Sequence, residues 1–233
     1  MKPYKAVIFD LDGTLLDTLA DLAASLNAVL TRHGYGPQPL HAVRRYLGNG
    51  AERLCRLALP KSVKDEEFQT IFNEFKAYYK DHCHIATKPY DGILDLLKGL
   101  QAQGIKTAIV SNKPDESVRA LRDDFFPAVT LAVGQTEGIP RKPSPTMVEK
   151  ALHDLGIKKD DAVYIGDSEV DFETARRAAM DIILVSWGFR DRAELEALGK
   201  AVIVDTREAL SAYLLGSVQK SDCSDTSKGP FSL

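Results

Sequence analysis

The chain has 233 residues, 44% hydrophobic and 27% charged, with 30 basic residues against 33 acidic ones and a net charge of −3. That balance suits a globular protein with a real core and lacks the basic surplus of a nucleic-acid binder. No run of about 18 apolar residues marks a membrane span, and Cys55, Cys83 and Cys223 are too few and too scattered for a disulfide framework.

The N-terminus, "MKPYKAVIFDLDG", meets acids too early for a signal peptide, so the expected compartment is the cytoplasm. Its apolar run "KAVIFD" (5–10) predicts a buried strand, which ends in Asp10 and Asp12 and is broken at Gly13-Thr14. From Asp17 to about Thr87 no convincing strand appears. The stretches "DTLADLAASLNAVLTRHG", "LHAVRRYLGNGAERLCRLAL" and "KDEEFQTIFNEFKAYYKDHC" have helical spacing, which predicts a helical insert over 17–88. Its return leg, "IATKPYDG", carries Pro89 and Gly92 and suits a hinge.

From about residue 90, strand and helix alternate. Strands are expected at "KTAIVSN" (106–112), "VTLAVG" (129–134), "AVYIGD" (162–167), "DIILVS" (181–186) and "AVIVD" (201–205), with amphipathic stretches between them. This order predicts an α/β fold, a doubly wound, Rossmann-like parallel sheet built from 1–16 and 89–216. The polar, aperiodic end, 217–233, reads as a mobile tail.

Ligands of such a sheet bind beyond the carboxyl ends of its strands. Asp10 and Asp12 stand there, then Ser111 and Asn112, then Asp167, with Lys142 in the loop "GIPRKPSP". Any one of these could be a helix cap; together, at successive strand tips, they call for another explanation. Neighbouring carboxylates about 4 Å apart repel by several kcal/mol at an intermediate dielectric. A hard divalent cation resolves this, and Mg²⁺ takes oxygen ligands and favours phosphate. Ser111, the backbone amides around Asn112 and the Lys142 ammonium would then meet phosphoryl oxygens. The arrangement reads as phosphoryl transfer.

"DLDGTLLD", "SNK", "RKP" and "GDSEVD", in this order, closely resemble the haloacid dehalogenase superfamily of phosphohydrolases over roughly 4–215. The resemblance implies that Asp10 is the nucleophile, forming an aspartyl-phosphate, with Thr14 shaping the turn beside it. Asp12 would protonate the leaving oxygen and then activate water, a role typically worth about 10² to 10⁴ in rate. Ser111 would hold the phosphoryl group, and Lys142 would orient Asp10 and offset its charge. Asp10, the Asp12 carbonyl and Asp167 would hold Mg²⁺, with Asp171 supporting it directly or through its waters. Dehalogenating members lack the second aspartate, so Asp12 argues for phosphate.

The insert is similar to the small helical cap of the subfamily that includes phosphoglycolate phosphatase, β-phosphoglucomutase and phosphonoacetaldehyde hydrolase. Such a cap excludes bulk water and restricts the site to small substrates. "LDTLADLAASLNAVL", "LGNGAERL", "SNKP" and "VSWGFR" most resemble the phosphoglycolate phosphatases, which implies a small phosphorylated metabolite, 2-phosphoglycolate favoured. Phosphonate cleavage fits less well, because residues 19–30 contain no Lys. Gly48, Asn49 and Gly50 offer backbone donors toward substrate, and Arg53, Arg45 or Arg44 could meet a substrate carboxylate. Trp187 to Arg190 follows a strand end and could lie near the site, though it is expected to pack, and the histidines of "DHCHI" (81–85) are expected to be incidental. A β-phosphoglucomutase-like mutase or a pyrophosphatase remains an alternative of the same family. A phospho-accepting regulator is the alternative of another class, against which stand Asp12 and the insert. No nucleic-acid or membrane partner is expected, and the chain is expected to be a monomer or weak homodimer.

Overall fold

In the computed structural model, which describes residues 3–216, the apolar run after Lys5 forms β1 (Ala6–Phe9), buried along its whole length. The tail read at 217–233, with Cys223, lies outside the described residues. After β1 the chain makes a two-residue strand, β2 (Leu16–Asp17), and then four helices. These are α1 (Leu19–Arg32), α2 (Leu40–Tyr46), α3 (Ala51–Ala58) and α4 (Asp65–His82). A second short strand, β3 (Lys88–Pro89), pairs antiparallel with β2, with Leu16 opposite Pro89 and Asp17 opposite Lys88. Absence of a strand holds within the helices, but this ribbon at the two crossings of the chain was not anticipated. Two residues are too short to carry a period.

The remaining chain alternates as expected: α5 (Ile93–Ala102), β4 (Lys106–Pro114), α6 (Asp115–Phe125), β5 (Leu131–Gln135), α7 (Thr146–Leu155), β6 (Ala162–Gly166), α8 (Glu169–Ala178), β7 (Asp181–Val185), α9 (Arg192–Glu196), β8 (Val202–Val204) and α10 (Arg207–Leu215). Six strands form one parallel sheet in the order β5-β4-β1-β6-β7-β8. Period-2 alternation sorts the side chains. Val7, Phe9, Ile109, Val163 and Ile165 pack with residues of α5, α6 and α10, whereas Ala6, Ile8, Ala108, Val110 and Tyr164 pack with α7 and α8. Both faces are covered, so the strands are almost wholly apolar. A one-residue slip would exchange the two faces, which fixes the register.

The four inserted helices bury a cluster of their own. Leu22, Leu26, Val29 and Leu30 of α1 meet Val43, Leu54, Cys55 and the Phe68, Ile71 and Phe75 stripe of α4. That stripe, at i, i+3 and i+7, is one face of a helix, and each Phe contributes about 1.5–3 kcal/mol by burial. Phe189, from the loop after β7, joins this cluster. Asp21, near the start of α1, is 4% exposed and accepts from the backbone N–H groups of Ile85, Ala86 and Thr87 at 2.8–3.1 Å. It fastens the outgoing chain to the returning one. Among the described residues no helix is long and apolar enough to cross a membrane.

Candidate active site

The site lies beyond the carboxyl ends of β1, β4 and β6. Asp10 follows β1 directly and donates its N–H to Ile165 of the neighbouring strand at 2.8 Å, which holds its backbone in the sheet. The chain then turns: Thr14, Leu15 and Leu16 all donate to the Leu11 carbonyl. Gly13 has φ +86°, and a Cβ there would stand 2.4 Å from an Asp167 oxygen, so only glycine fits. The turn leaves Asp12 part-exposed, lining a cavity of about 620 Å³ that Asp10, Ser111, Asn112 and Lys142 also line. Gly48 and Gly50 border the cavity from the helical side.

Lys142 is buried, and its ammonium meets Asp10 and Asp171 at 2.8 Å each and the Tyr164 hydroxyl at 3.0 Å. These use its three donors. Burial works against the charge, but the two carboxylates outweigh it and hold Lys142 well above the ordinary lysine range. Burial pushes Asp10 up to about 7 against the pull of Lys142, and burial with the neighbouring charges of Asp171 and Asp10 pushes Asp167 well up. Asn112 positions the Lys142 loop: its carboxamide donates to the Lys142 carbonyl at 3.1 Å and accepts from the Lys142 N–H at 2.8 Å. Its side chain is therefore engaged, and what Asn112 has left for a phosphate is backbone. The pairing of β4 with β5 shifts register between Val110 and Pro114, a bulge that re-aims Ser111, Asn112 and Lys113.

Asp10, Asp167 and Asp171 each offer an oxygen within 4.8 Å of the others. One ammonium does not neutralise three carboxylates, and hard oxygen donors of this kind fit Mg²⁺. The three differ in availability. Asp167 accepts from Thr14 Oγ1 at 3.2 Å and the Phe189 N–H at 2.6 Å. Asp171 Oδ1 accepts from Lys142 and Tyr164, while Oδ2 accepts from the Asp167 and Ser168 N–H groups and Ser168 Oγ, the last at 2.6 Å. That set saturates a carboxylate with about four lone-pair sites. Asp10 and Asp167 keep room for a cation, and Asp171 instead closes the capping box of α8 and holds Lys142.

The arginines of the insert are not gathered at the cavity. Arg44 donates to the Gly188 carbonyl at 2.7 Å and pairs with Asp191, and Arg45 reaches Glu194. Arg53 is exposed and lines a second cleft with Asn49, Arg56 and Arg141, which adjoins the main cavity at Glu52, Arg141 and Lys142. Asn49 also donates to Glu169 at 3.4 Å. The turn from Trp187 to Arg190, read as a packing element that could also lie near the site, does both. Trp187 Nε1 donates to the Thr14 carbonyl, the Phe189 N–H holds Asp167, and Arg190 binds Glu169 and the Leu47 carbonyl. The proximity of "WGFR" to a strand tip was the available signal. Lys113, hidden in "SNK", lies with Nζ 3.2 Å from Asp12 Oδ1 and 3.0 Å from the Tyr79 hydroxyl of α4.

The family model for haloacid dehalogenase-like hydrolases matches residues 7–185. "Phosphoglycolate phosphatase 1" of Pseudomonas aeruginosa is 30% identical over 211 residues, 86% of this chain and 76% of that protein. A phosphoglycolate phosphatase of Rhodospirillum rubrum is 33% identical over 90% of both chains. A crystal structure from Lactobacillus delbrueckii subsp. bulgaricus, whose own assignment as a phosphoglycolate phosphatase is provisional, superposes with a TM-score of 0.88. It is 41% identical and covers 93% of this chain and 100% of its own. With the strand-tip carboxylates, the parallel sheet and these matches together, the chain belongs to the haloacid dehalogenase-like hydrolases.

Proposed function

We propose that the protein is a Mg²⁺-dependent phosphatase that hydrolyses a small phosphate monoester through an aspartyl-phosphate on Asp10, with 2-phosphoglycolate as the favoured substrate. The observation that carries this reading is the Asp10 carboxylate, held 2.8 Å from Lys142 and lining one cavity with Asp12 and Ser111. Asp10 attacks phosphorus and the ester P–O bond breaks, while Asp12 gives its proton to the leaving oxygen. Water then attacks the phosphorus of the acyl phosphate while Asp12 takes its proton, the bond from phosphorus to the Asp10 oxygen breaks, and inorganic phosphate departs with the Asp10 carboxylate restored. Lys142 draws Asp10 toward ionisation against its burial and aims it; Ser111 and the amides of the bulge donate to the phosphoryl oxygens. Asp10, the Asp12 carbonyl and Asp167 would hold Mg²⁺, which supplies positive charge against the phosphoryl oxygens. The carbon part of the substrate lies in the cavity under the helices, away from bulk water. The relatives named phosphoglycolate phosphatases support the choice of substrate. Placement in the cytoplasm, as a monomer or weak homodimer, completes the reading.

The test is a panel of 2-phosphoglycolate, sugar phosphates, pyrophosphate and nucleotides, each with Mg²⁺ and with EDTA. Mg²⁺-dependent release of phosphate from 2-phosphoglycolate is expected, and Asp10→Asn is expected to reduce it to background with an unchanged melting curve. Full turnover in that variant, or isomerisation of a sugar phosphate in place of hydrolysis, would sink the reading.

A further inference from the structure

We propose that Lys113 is the specificity residue of this site: its ammonium receives an anionic group on the leaving alcohol, and Tyr79 of α4 positions it. The substrate class is then a phosphate ester of a short hydroxy acid. This rests on the phosphatase reading above.

Lys113 follows Ser111 and Asn112 on the bulge of β4, so the register shift that aims Ser111 aims Lys113 as well. Its side chain is only 8% exposed, an unusual place for a lysine, since a buried ammonium is costly unless paired. Its Nζ stands 3.2 Å from Asp12 Oδ1 and donates to the Tyr79 hydroxyl at 3.0 Å. An ammonium has three N–H donors. Tyr79 takes one and Asp12 is held as an ion pair, so at least one N–H has no acceptor among the described residues, and Lys113, Asp12 and Tyr79 line the same cavity. Asp12 addresses the leaving oxygen. A cation in contact with Asp12 therefore stands beside the first atoms of the leaving group, within reach of an anion one or two carbons from the ester oxygen.

The competing cations are placed less well. Arg44 and Arg45 are engaged with Gly188, Asp191 and Glu194, and Arg53 is exposed in the adjoining cleft. Lys76, Lys80, His84 and Arg141 border the cavity but are exposed. An exposed ion contact contributes at most about fivefold in affinity. A charge-assisted hydrogen bond to a desolvated cation contributes roughly ten- to a hundred-fold. Tyr79 comes from the helical insert, so the Lys113 ammonium is held from both sides, by Asp12 after β1 and by the insert.

The experiment measures kcat/KM for 2-phosphoglycolate and for ethyl phosphate, which lacks the carboxylate, on the same Mg²⁺-loaded preparations of wild type, Lys113→Met and Tyr79→Phe. The ratio of the two values is independent of the folded fraction. It is expected to fall roughly ten- to a hundred-fold in Lys113→Met and by a smaller factor in Tyr79→Phe. If Lys113→Met does not fold, Tyr79→Phe carries the test, and an unchanged ratio there overturns the assignment. An unchanged ratio in a folded Lys113→Met, or a collapse in Lys76→Met, Lys80→Met or Arg141→Met instead, overturns it while leaving the phosphatase reading intact. If wild type hydrolyses neither ester, the phosphatase reading falls, and this assignment falls with it.

Discussion

Asp171 accepts hydrogen bonds on both oxygens and pairs with a buried ammonium, so its removal leaves Lys142 with one carboxylate and a broken cap on α8. Lys142 keeps Asp10, and the crowding of carboxylates eases, so the cost falls below the roughly 3–5 kcal/mol of a stranded buried charge. Asp171→Ala is expected to lower unfolding stability by about 1–3 kcal/mol in urea through its lost hydrogen bonds, and an unchanged stability would contradict its place in the network. Asp10 and Asp167 give a pH dependence. Burial raises both above the usual carboxylate range, Asp10 to about 7. The folded state then binds more protons than the unfolded one between the two values, so stability is present at low pH and lost as pH rises through about 7. The metal-free protein is expected to melt at a lower temperature at about pH 8 than at about pH 5, with Mg²⁺ restoring more at the higher pH. A melting temperature in EDTA that rises over that interval would refute this. Asp10, Asp12, Ser111 and Asp167 were legible because each ends or follows an apolar run, which is a local signal, and Lys142 through the resemblance carried by "RKP". Lys113 and Tyr79 were not, since they lie 34 positions apart and no spacing rule joins them.

Elements show the same division. The six strands of the sheet emerge from their apolar runs within one or two residues, and Gly48-Asn49-Gly50 separates α2 from α3 where the turn signal stands. The β2–β3 ribbon and the Asp21 fastening were invisible, because their pairing is non-local. Asp21→Ala would leave the amides of Ile85, Ala86 and Thr87 without their acceptor. Ile85 and Ala86 are exposed and their amides can turn to water, whereas Thr87 is buried, so the one unsatisfied buried amide sets an expected loss of about 1–3 kcal/mol in denaturant midpoint analysis. The turn after β7 is equally constrained: a Cβ at Gly188 would stand 2.4 Å from Asp167 and 2.5 Å from the Gly13 carbonyl. Gly188→Ala is expected to displace Asp167 and reduce turnover at least tenfold, the equivalent of about 1.4 kcal/mol; wild-type kcat/KM in that variant would refute the constraint.

At the scale of the molecule, Arg190 ties the helices to the sheet. It is 9% exposed, binds Glu169 at 2.7 and 2.9 Å, and donates to the Leu47 carbonyl at 2.9 Å. Arg44 returns the contact through the Gly188 carbonyl and Asp191. Arg190→Met is expected to speed hydrogen exchange over residues 44–50 while exchange in β1 and β6 stays slow; uniform acceleration would mean global destabilisation. Phe189 binds the two parts more closely still, since its amide holds Asp167 and its ring lies in the cluster of the inserted helices. The helices are therefore not an interchangeable cassette. A chimaera that grafts the corresponding helices of a relative onto this sheet inherits a foreign socket for Phe189, and it should recover function only when residues 187–190 are transplanted from the same donor.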